Sequence, residues 1–137
     1  MTSGLIIGCG YLGGRVAAHW RETIREVFAL TRSKETATQF SQHGWNPIIG
    51  DITKPESIVP FPEVDTVLLS VGFDRRAGYD IHTAFVGGIK NAIAKLPSTI
   101  SRLIYISSTG VYSQSNGEWV DEESICEPQR PGGVACL

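Results

Sequence analysis

The chain has 137 residues, 42% of them hydrophobic and 19% charged, which suits one globular domain with a core of its own and argues against disorder. Its 12 Lys and Arg against 14 Asp and Glu leave a net charge of −2, which favours neither nucleic acid nor a membrane surface as partner. Three scattered cysteines, Cys9, Cys126 and Cys136, have no metal-ligand spacing and fit a reducing cytoplasm. No apolar run approaches the ~18 residues of a membrane helix. The first run, Leu5 to Ile7, is too short for a signal-peptide core.

Short β-rich runs alternate with segments of helical period. Leu5-Ile6-Ile7 between glycines predicts a buried first strand. Leu12, Val16, Trp20 and Ile24 recur every four residues and predict a helix. Val27 to Leu30 reads as the second strand. Ser33 is placed to N-cap a helix from Lys34 to Gln42 that Gly44 ends. Pro47 to Ile49 is a short third strand, and Thr53 to Ile58 a weak helical turn. Thr66 to Val71 is the fourth strand. Ile81, Phe85, Ile89, Ile93 and Leu96 mark a long amphipathic helix closed by Pro97. Leu103 to Ser107 is the fifth strand, and Ser113 to Leu137 is turn-rich and locally acidic. This alternation predicts an α/β, doubly wound parallel sheet of Rossmann-like type, strand order 3-2-1-4-5, ending after strand 5. The expected division is a dinucleotide-binding domain over residues 1–112, followed by a loop and the start of a helix over 113–137. Ligands should sit where strands 1 and 4 diverge, at their carboxyl ends.

Gly8-Cys9-Gly10-Tyr11-Leu12-Gly13 is an unbroken G-x-G-x-x-G between a strand and a helix, the context in which this pattern binds a dinucleotide. Gly8 permits the tight turn, Gly10 the approach of a pyrophosphate, and Gly13 close packing of helix on sheet. Free N–H groups at the helix start, from Tyr11 and Leu12 onward, would hold the phosphates. An NAD site places Asp or Glu at the end of strand 2. Here Thr31-Arg32-Ser33-Lys34 stands instead. Arg32 would pair with a 2′-phosphate, assisted by the Ser33 hydroxyl and flanked by Arg15. NADP is therefore expected over NAD. A solvated surface arginine is the plain alternative for both Arg32 and Arg15.

GCGYLGGR (residues 8–15), Gly50-Asp51-Ile52, Ser70-Val71-Gly72, Val86 to Asn91 and ISSTGVY (residues 106–112) stand in the order found in extended and atypical short-chain dehydrogenases/reductases, the NAD(P)-dependent epimerase/dehydratase superfamily. The chain resembles this family over nearly its whole length. The resemblance implies that Asp51 accepts from the adenine amino group and that Ile52 lines the adenine pocket. It implies that Ser70, Val71 and Gly72 pass under the ribose and pyrophosphate. Ser108 falls on the catalytic Ser/Thr position, with Ser107 and Thr109 as neighbours in register.

One departure from the family bears on chemistry. The family's Tyr-x-x-x-Lys pair falls on Gly132 and Cys136. Tyrosine passes the hydroxyl proton and lysine lowers its pKa; glycine can do neither. Cys136 reads best as a buried inert thiol. Tyr105 and Tyr112 lie near strand 5 as alternative phenols, and Tyr112, part of the VY motif, is read as packing and given no catalytic role. His19, His43 and His82 are dispersed, so no metal site is expected. Asp74-Arg75-Arg76 follows strand 4 in a loop at the ligand edge; Arg75 and Arg76 read as solvated loop charges, with contact to an anionic substrate as the alternative. The resemblance implies that the acidic stretch Glu118 to Glu123 helps cover a substrate cleft, an exposed charged loop being the plain alternative. Family members continue beyond this length with a substrate-binding region. The chain is thus expected to offer a cofactor half-site with an exposed fifth strand.

The expected function is that of an NADP-preferring oxidoreductase or nucleoside-diphosphate-sugar epimerase/dehydratase-like protein, acting on a carbonyl or sugar-nucleotide substrate and able to form a homo-oligomer. The alternative is a non-catalytic NADP-binding or redox-sensing domain, or an inactive fragment.

Overall fold

The computed structural model describes residues 3–23 and 26–137, so Ile24 of the predicted helical stripe lies outside the described residues. Strand β1 is Ser3–Ile7, followed by helix α1 at Tyr11–Thr23, β2 at Glu26–Thr31, α2 at Lys34–Gln42 and β3 at Asn46–Ile49. Next come a 3₁₀ turn at Pro55–Ser57, β4 at Thr66–Leu69, a π-helical stretch at Thr83–Gly88 running into α3 at Ile89–Ile93, and β5 at Arg102–Tyr105. A 3₁₀ turn at Thr109–Val111 and helix α4 at Pro131–Cys136 complete the chain.

All five strands are parallel, in the order β3-β2-β1-β4-β5, as the alternating pattern predicts. β1 is central. Ile7 lies beside Leu30 of β2 and Leu69 of β4. Alternate side chains of a strand face opposite ways, so the sheet builds two cores. Leu5, Ile7, Val67 and Leu69 pack with Ile52, Phe61 and Ala92 on one face. Ile6, Val27, Ala29 and Leu68 pack with Ala17 of α1 and Phe40 of α2 on the other. Leu5, Ile6 and Ile7 are wholly buried, each contributing about 1.5–3 kcal/mol by leaving water.

Local signals set the helix ends. Ser33 caps α2, its Oγ accepting from the Thr36 N–H at 3.3 Å. Gly44, at φ +75°, lets the chain turn out of the helix. At the amino ends of the strands, Asp65 accepts from the Ser3 N–H (2.7 Å) and hydroxyl (3.1 Å). These two bonds, the backbone one foremost, hold its carboxyl below the usual range.

Three expectations are corrected. The fourth strand ends at Leu69 instead of Val71, because its partner β1 ends at Ile7, where Gly8 turns the chain at φ +94°; Ser70 then donates its hydroxyl to the Gly8 carbonyl at 2.8 Å. The fifth ends at Tyr105 instead of Ser107, where Ser107 donates to the Cys136 carbonyl at 3.3 Å. The long helix from Ile81 to Leu96 is interrupted by the π-helical stretch at Thr83–Gly88. Gly87 and Gly88, poor α-helix formers, lie in that stretch, and Gly88 is pressed against Ile52. The residues of β5 are exposed, and Leu103, Ile104 and Tyr105 keep 36–45% of their surface in solvent.

Candidate functional site

A cavity of about 470 Å³ opens at the carboxyl ends of the strands, within the range of small-molecule sites. Segments from four places in the chain meet there. They are Ile7 to Leu12 after β1, Leu30 to Arg32 at the end of β2, Gly50 to Thr53 after β3, and Ser70 to Asp74 after β4. The chain reverses direction across the sheet between β1 and β4, so their ends splay and leave a crevice.

The three glycines of the loop answer to different neighbours. Gly8 has φ +94°, and a Cβ there would lie 2.5 Å from the Ser70 backbone. A Cβ on Gly13 would lie 2.5 Å from the Gly8 carbonyl oxygen and 3.0 Å from Ser70 Oγ. Both are glycine because protein atoms crowd them. At Gly10 a Cβ would meet nothing within 4 Å. Its bare face borders the cavity at the start of α1, a 13-residue helix whose first N–H groups lack helical acceptors. Gly72 is equally open. A bare backbone beside a helix start fits a bound pyrophosphate.

Tyr11 and Leu12 line the cavity as well, with Tyr11 81% exposed at its rim. Cys9 also faces it. Burial pushes its thiol up to about 11, so it stays protonated and a poor nucleophile near neutral pH. Arg15 is not among the residues lining the cavity. Its guanidinium lies 4.7 Å from the centre of the Tyr11 ring, and it borders an apolar groove with Val16, Trp20, Leu68, Ile104 and Ile106.

Arg32 reaches into the cavity from the end of β2. Its Nη1 donates to the Tyr79 hydroxyl at 3.0 Å and its Nη2 to Asp74 Oδ2 at 3.1 Å. The hydrogen bond to Asp74 raises the Arg32 pKa further. Asp74 is held low first by the Arg76 N–H and then by Arg32. Ser33 lies outside the cavity lining, its Oγ engaged as the α2 cap.

Asp51 and Ile52 border the cavity beside Arg32, since β3 pairs with β2 and the Gly50 N–H donates to the Thr31 carbonyl at 2.9 Å. Asp51 Oδ1 accepts from the Thr53 N–H at 2.9 Å and hydroxyl at 2.7 Å, which fixes the turn. Asn91 of α3 donates from Nδ2 to the Ile52 carbonyl at 2.8 Å. A Cβ on Gly88 would lie 2.9 Å from Ile52 Cδ1. The V-x-G-x-x-N pattern thus shapes this wall through a small residue and an amide.

Ser70, Val71 and Gly72 line the floor. Ser108 is not brought to the cavity. Its exposed Oγ accepts from the Gly110 N–H at 3.1 Å and caps the turn Thr109–Val111. Gly132 and Cys136 stand on α4, where a Cβ on Gly132 would lie 3.3 Å from Ile81 Cδ1. Tyr105 sits beside Cys136, and partial burial, then the thiol, push its hydroxyl up. Tyr112 donates to the Asp121 carbonyl at 2.9 Å and so ties the acidic loop in place. Among the described residues no three His, Cys, Asp or Glu side chains gather at one point. No described helix is long and apolar enough to cross a membrane.

The sequence reading placed Asp74 in a loop at the ligand edge but did not find Thr36, Phe40, Thr53, Phe73 and Tyr79 as lining residues. Thr36 and Phe40 lie one and two helical turns beyond the residues read at the end of β2. That spacing was a usable signal.

No family model matches the chain, and no curated protein is significantly similar to it in sequence. Solved structures do match in fold. A short-chain dehydrogenase/reductase superfamily protein from Agrobacterium tumefaciens, with bound NAD, matches with TM-score 0.70 and 22% identity, over 98% of this chain and 42% of that one. The chain shares the Rossmann-like α/β fold of that protein. UDP-galactose 4-epimerase matches this Rossmann-like fold with TM-score 0.77 and 15% identity, over 98% of this chain and 48% of that one. A yeast methylglyoxal/isovaleraldehyde reductase complexed with NADPH matches with TM-score 0.66 and 16% identity, over 81% and 38%. The chain therefore spans less than half the length of each of these three proteins.

Proposed function

We propose that this chain binds a nicotinamide dinucleotide in the cavity between β1 and β4, NADP in preference to NAD. The open backbone face of Gly10 at the start of α1 carries the reading. In this reading Gly8 and Gly13 shape the loop, and Gly10, Tyr11 and Leu12 hold the pyrophosphate through backbone N–H groups. Asp51 and Ile52 receive the adenine. Ser70, Val71 and Gly72 run beneath the ribose. Arg32 meets the 2′-phosphate, while Ser33 and Arg15 contribute only if they leave their present partners. Two solved structures of this fold hold NAD or NADPH, which supports the class of cofactor.

When bound, such a cofactor supplies hydride transfer. Ser108, which lies outside the cavity lining and caps the Thr109–Val111 turn, would still have its hydroxyl proton to orient a carbonyl or hydroxyl of a small carbonyl compound or sugar nucleotide, the substrates of an oxidoreductase or epimerase/dehydratase-like protein. A second reading, a non-catalytic NADP-binding or redox-sensing domain in the cytoplasm, is favoured by Gly132 and Cys136, which bring neither a phenol nor an ammonium to the proton-transfer position. Calorimetric titration with NADP(H) and NAD(H) tests binding, and NADPH consumption with carbonyl substrates separates the two readings. The expected result is stoichiometric binding, tighter for NADP(H). Absence of binding by the folded protein removes both readings.

A further inference from the structure

The sequence has no carboxylate at the end of β2, yet folding brings one there. Asp74, 42 residues away in sequence, sets its Oδ2 3.1 Å from Arg32 Nη2. Its other oxygen accepts from the Arg76 N–H at 3.0 Å, so the carboxylate is fixed by its own loop as well as by Arg32. That loop is anchored too. Phe73 packs against Tyr79 and Phe85, each at 6.4 Å between ring centres, and the Tyr79 hydroxyl takes a second Arg32 N–H.

We infer that Asp74 is a specificity-determining residue that competes with a cofactor's 2′-phosphate for Arg32 and so restrains the preference for NADP over NAD. The inference rests on the dinucleotide reading given above. A phosphate reaching Arg32 must replace the Asp74 carboxylate or lie beside it. Either route sets two negative groups near one guanidinium. A cofactor with a free 2′-hydroxyl leaves the Arg32–Asp74 pair undisturbed. Both side chains are about half exposed, so water and salt weaken the pair and the effect is moderate. The carboxylate missing after β2 is in this way supplied from the loop after β4.

Asp74→Asn tests this, because the amide oxygen can still accept from the Arg76 N–H while the charge is lost. Calorimetric affinities for NADP+ and NAD+ are measured on the whole chain at two salt concentrations. The expected result is an NADP+ affinity raised about five-fold at low salt, a smaller gain at high salt, and NAD+ affinity little changed. Asp74→Ser, a second short acceptor, should shift the ratio in the same direction and guards against a folding defect in one variant. An unchanged NADP+ to NAD+ ratio in both variants, or an equal change for both cofactors, overturns the role of Asp74 while leaving the dinucleotide site standing. Failure of the unaltered protein to bind either cofactor is a different result and overturns both.

Discussion

Gly8 and Gly10 stand two residues apart and tolerate different insults. A side chain at Gly8 meets the Ser70 backbone at 2.5 Å and a positive φ. Gly8→Val is therefore expected to cost about 3 kcal/mol or more and to unfold much of the protein, as denaturant titration would report. A Cβ at Gly10 meets no protein atom within 4 Å, so Gly10→Val starts from open space. It should leave stability within about 1 kcal/mol of the parent and abolish dinucleotide binding by calorimetry. Undiminished binding in that folded variant would remove the pyrophosphate site. Cys9 adds a pH test. Its folded pKa, about 11, exceeds the ordinary 9.0, so the folded state holds the proton more tightly than the unfolded state does. The stabilisation is complete below about pH 9 and is lost as pH rises towards about 11. Unfolding followed over that range should show the decline, and Cys9→Ala should flatten it.

At the scale of elements, α3 and the π-helical stretch before it shape the wall formed by the segment after β3, through Gly88 and Asn91 against Ile52. The Asn91 amide is the only partner described for the Ile52 carbonyl. Asn91→Ala should leave that carbonyl short of a partner, at a cost of about 1–2 kcal/mol in thermal or denaturant unfolding. Binding of an adenine-containing ligand should weaken with it, because the Gly50 to Thr53 segment loses its tether. Asn91→Ala with wild-type stability and affinity would show that the tether is dispensable. The motif around Val86 to Asn91 was legible as a family pattern. Its work was not, because residues 39 positions apart in sequence meet only after the sheet forms. The π-helical stretch was hidden for a related reason. Apolar spacing at Ile81, Phe85 and Ile89 is shared by an unbroken α-helix.

For the molecule as a whole, the two faces of β1 carry the stability and β5 carries little. Leu5→Ala removes a wholly buried side chain and should cost about 2–5 kcal/mol. Ile104→Ala, 36% exposed on β5, should cost less than about 1.5 kcal/mol. Chemical denaturation of both variants checks the ranking, and equal costs would mean that β5 is covered in solution. The groove beside it, lined by Leu12, Trp20, Leu68, Ile104 and Ile106, is apolar. Static light scattering should accordingly show mass rising with concentration. Ile104→Lys should suppress that rise, since a charge on an edge strand opposes pairing.

The sequence by itself determined the parallel sheet, its strand order and the glycine loop. Each follows from local periodicity, from glycines next to a strand, and from the handedness of crossovers. Its site residues divided once the chain was folded. Gly8, Gly10, Tyr11, Leu12, Arg32, Asp51, Ile52 and Ser70 to Gly72 converge on one cavity, while Gly13 packs the start of α1 against Gly8 and Ser70. Ser33 and Ser108 are taken as caps, and Arg15 is drawn onto Tyr11. A hydroxyl or guanidinium in a sequence carries no record of which partner claims it. Only the tertiary structure decided that Asp74 stands beside Arg32, because the packing of Phe73 against Tyr79 and Phe85 sets the path of the loop that carries it.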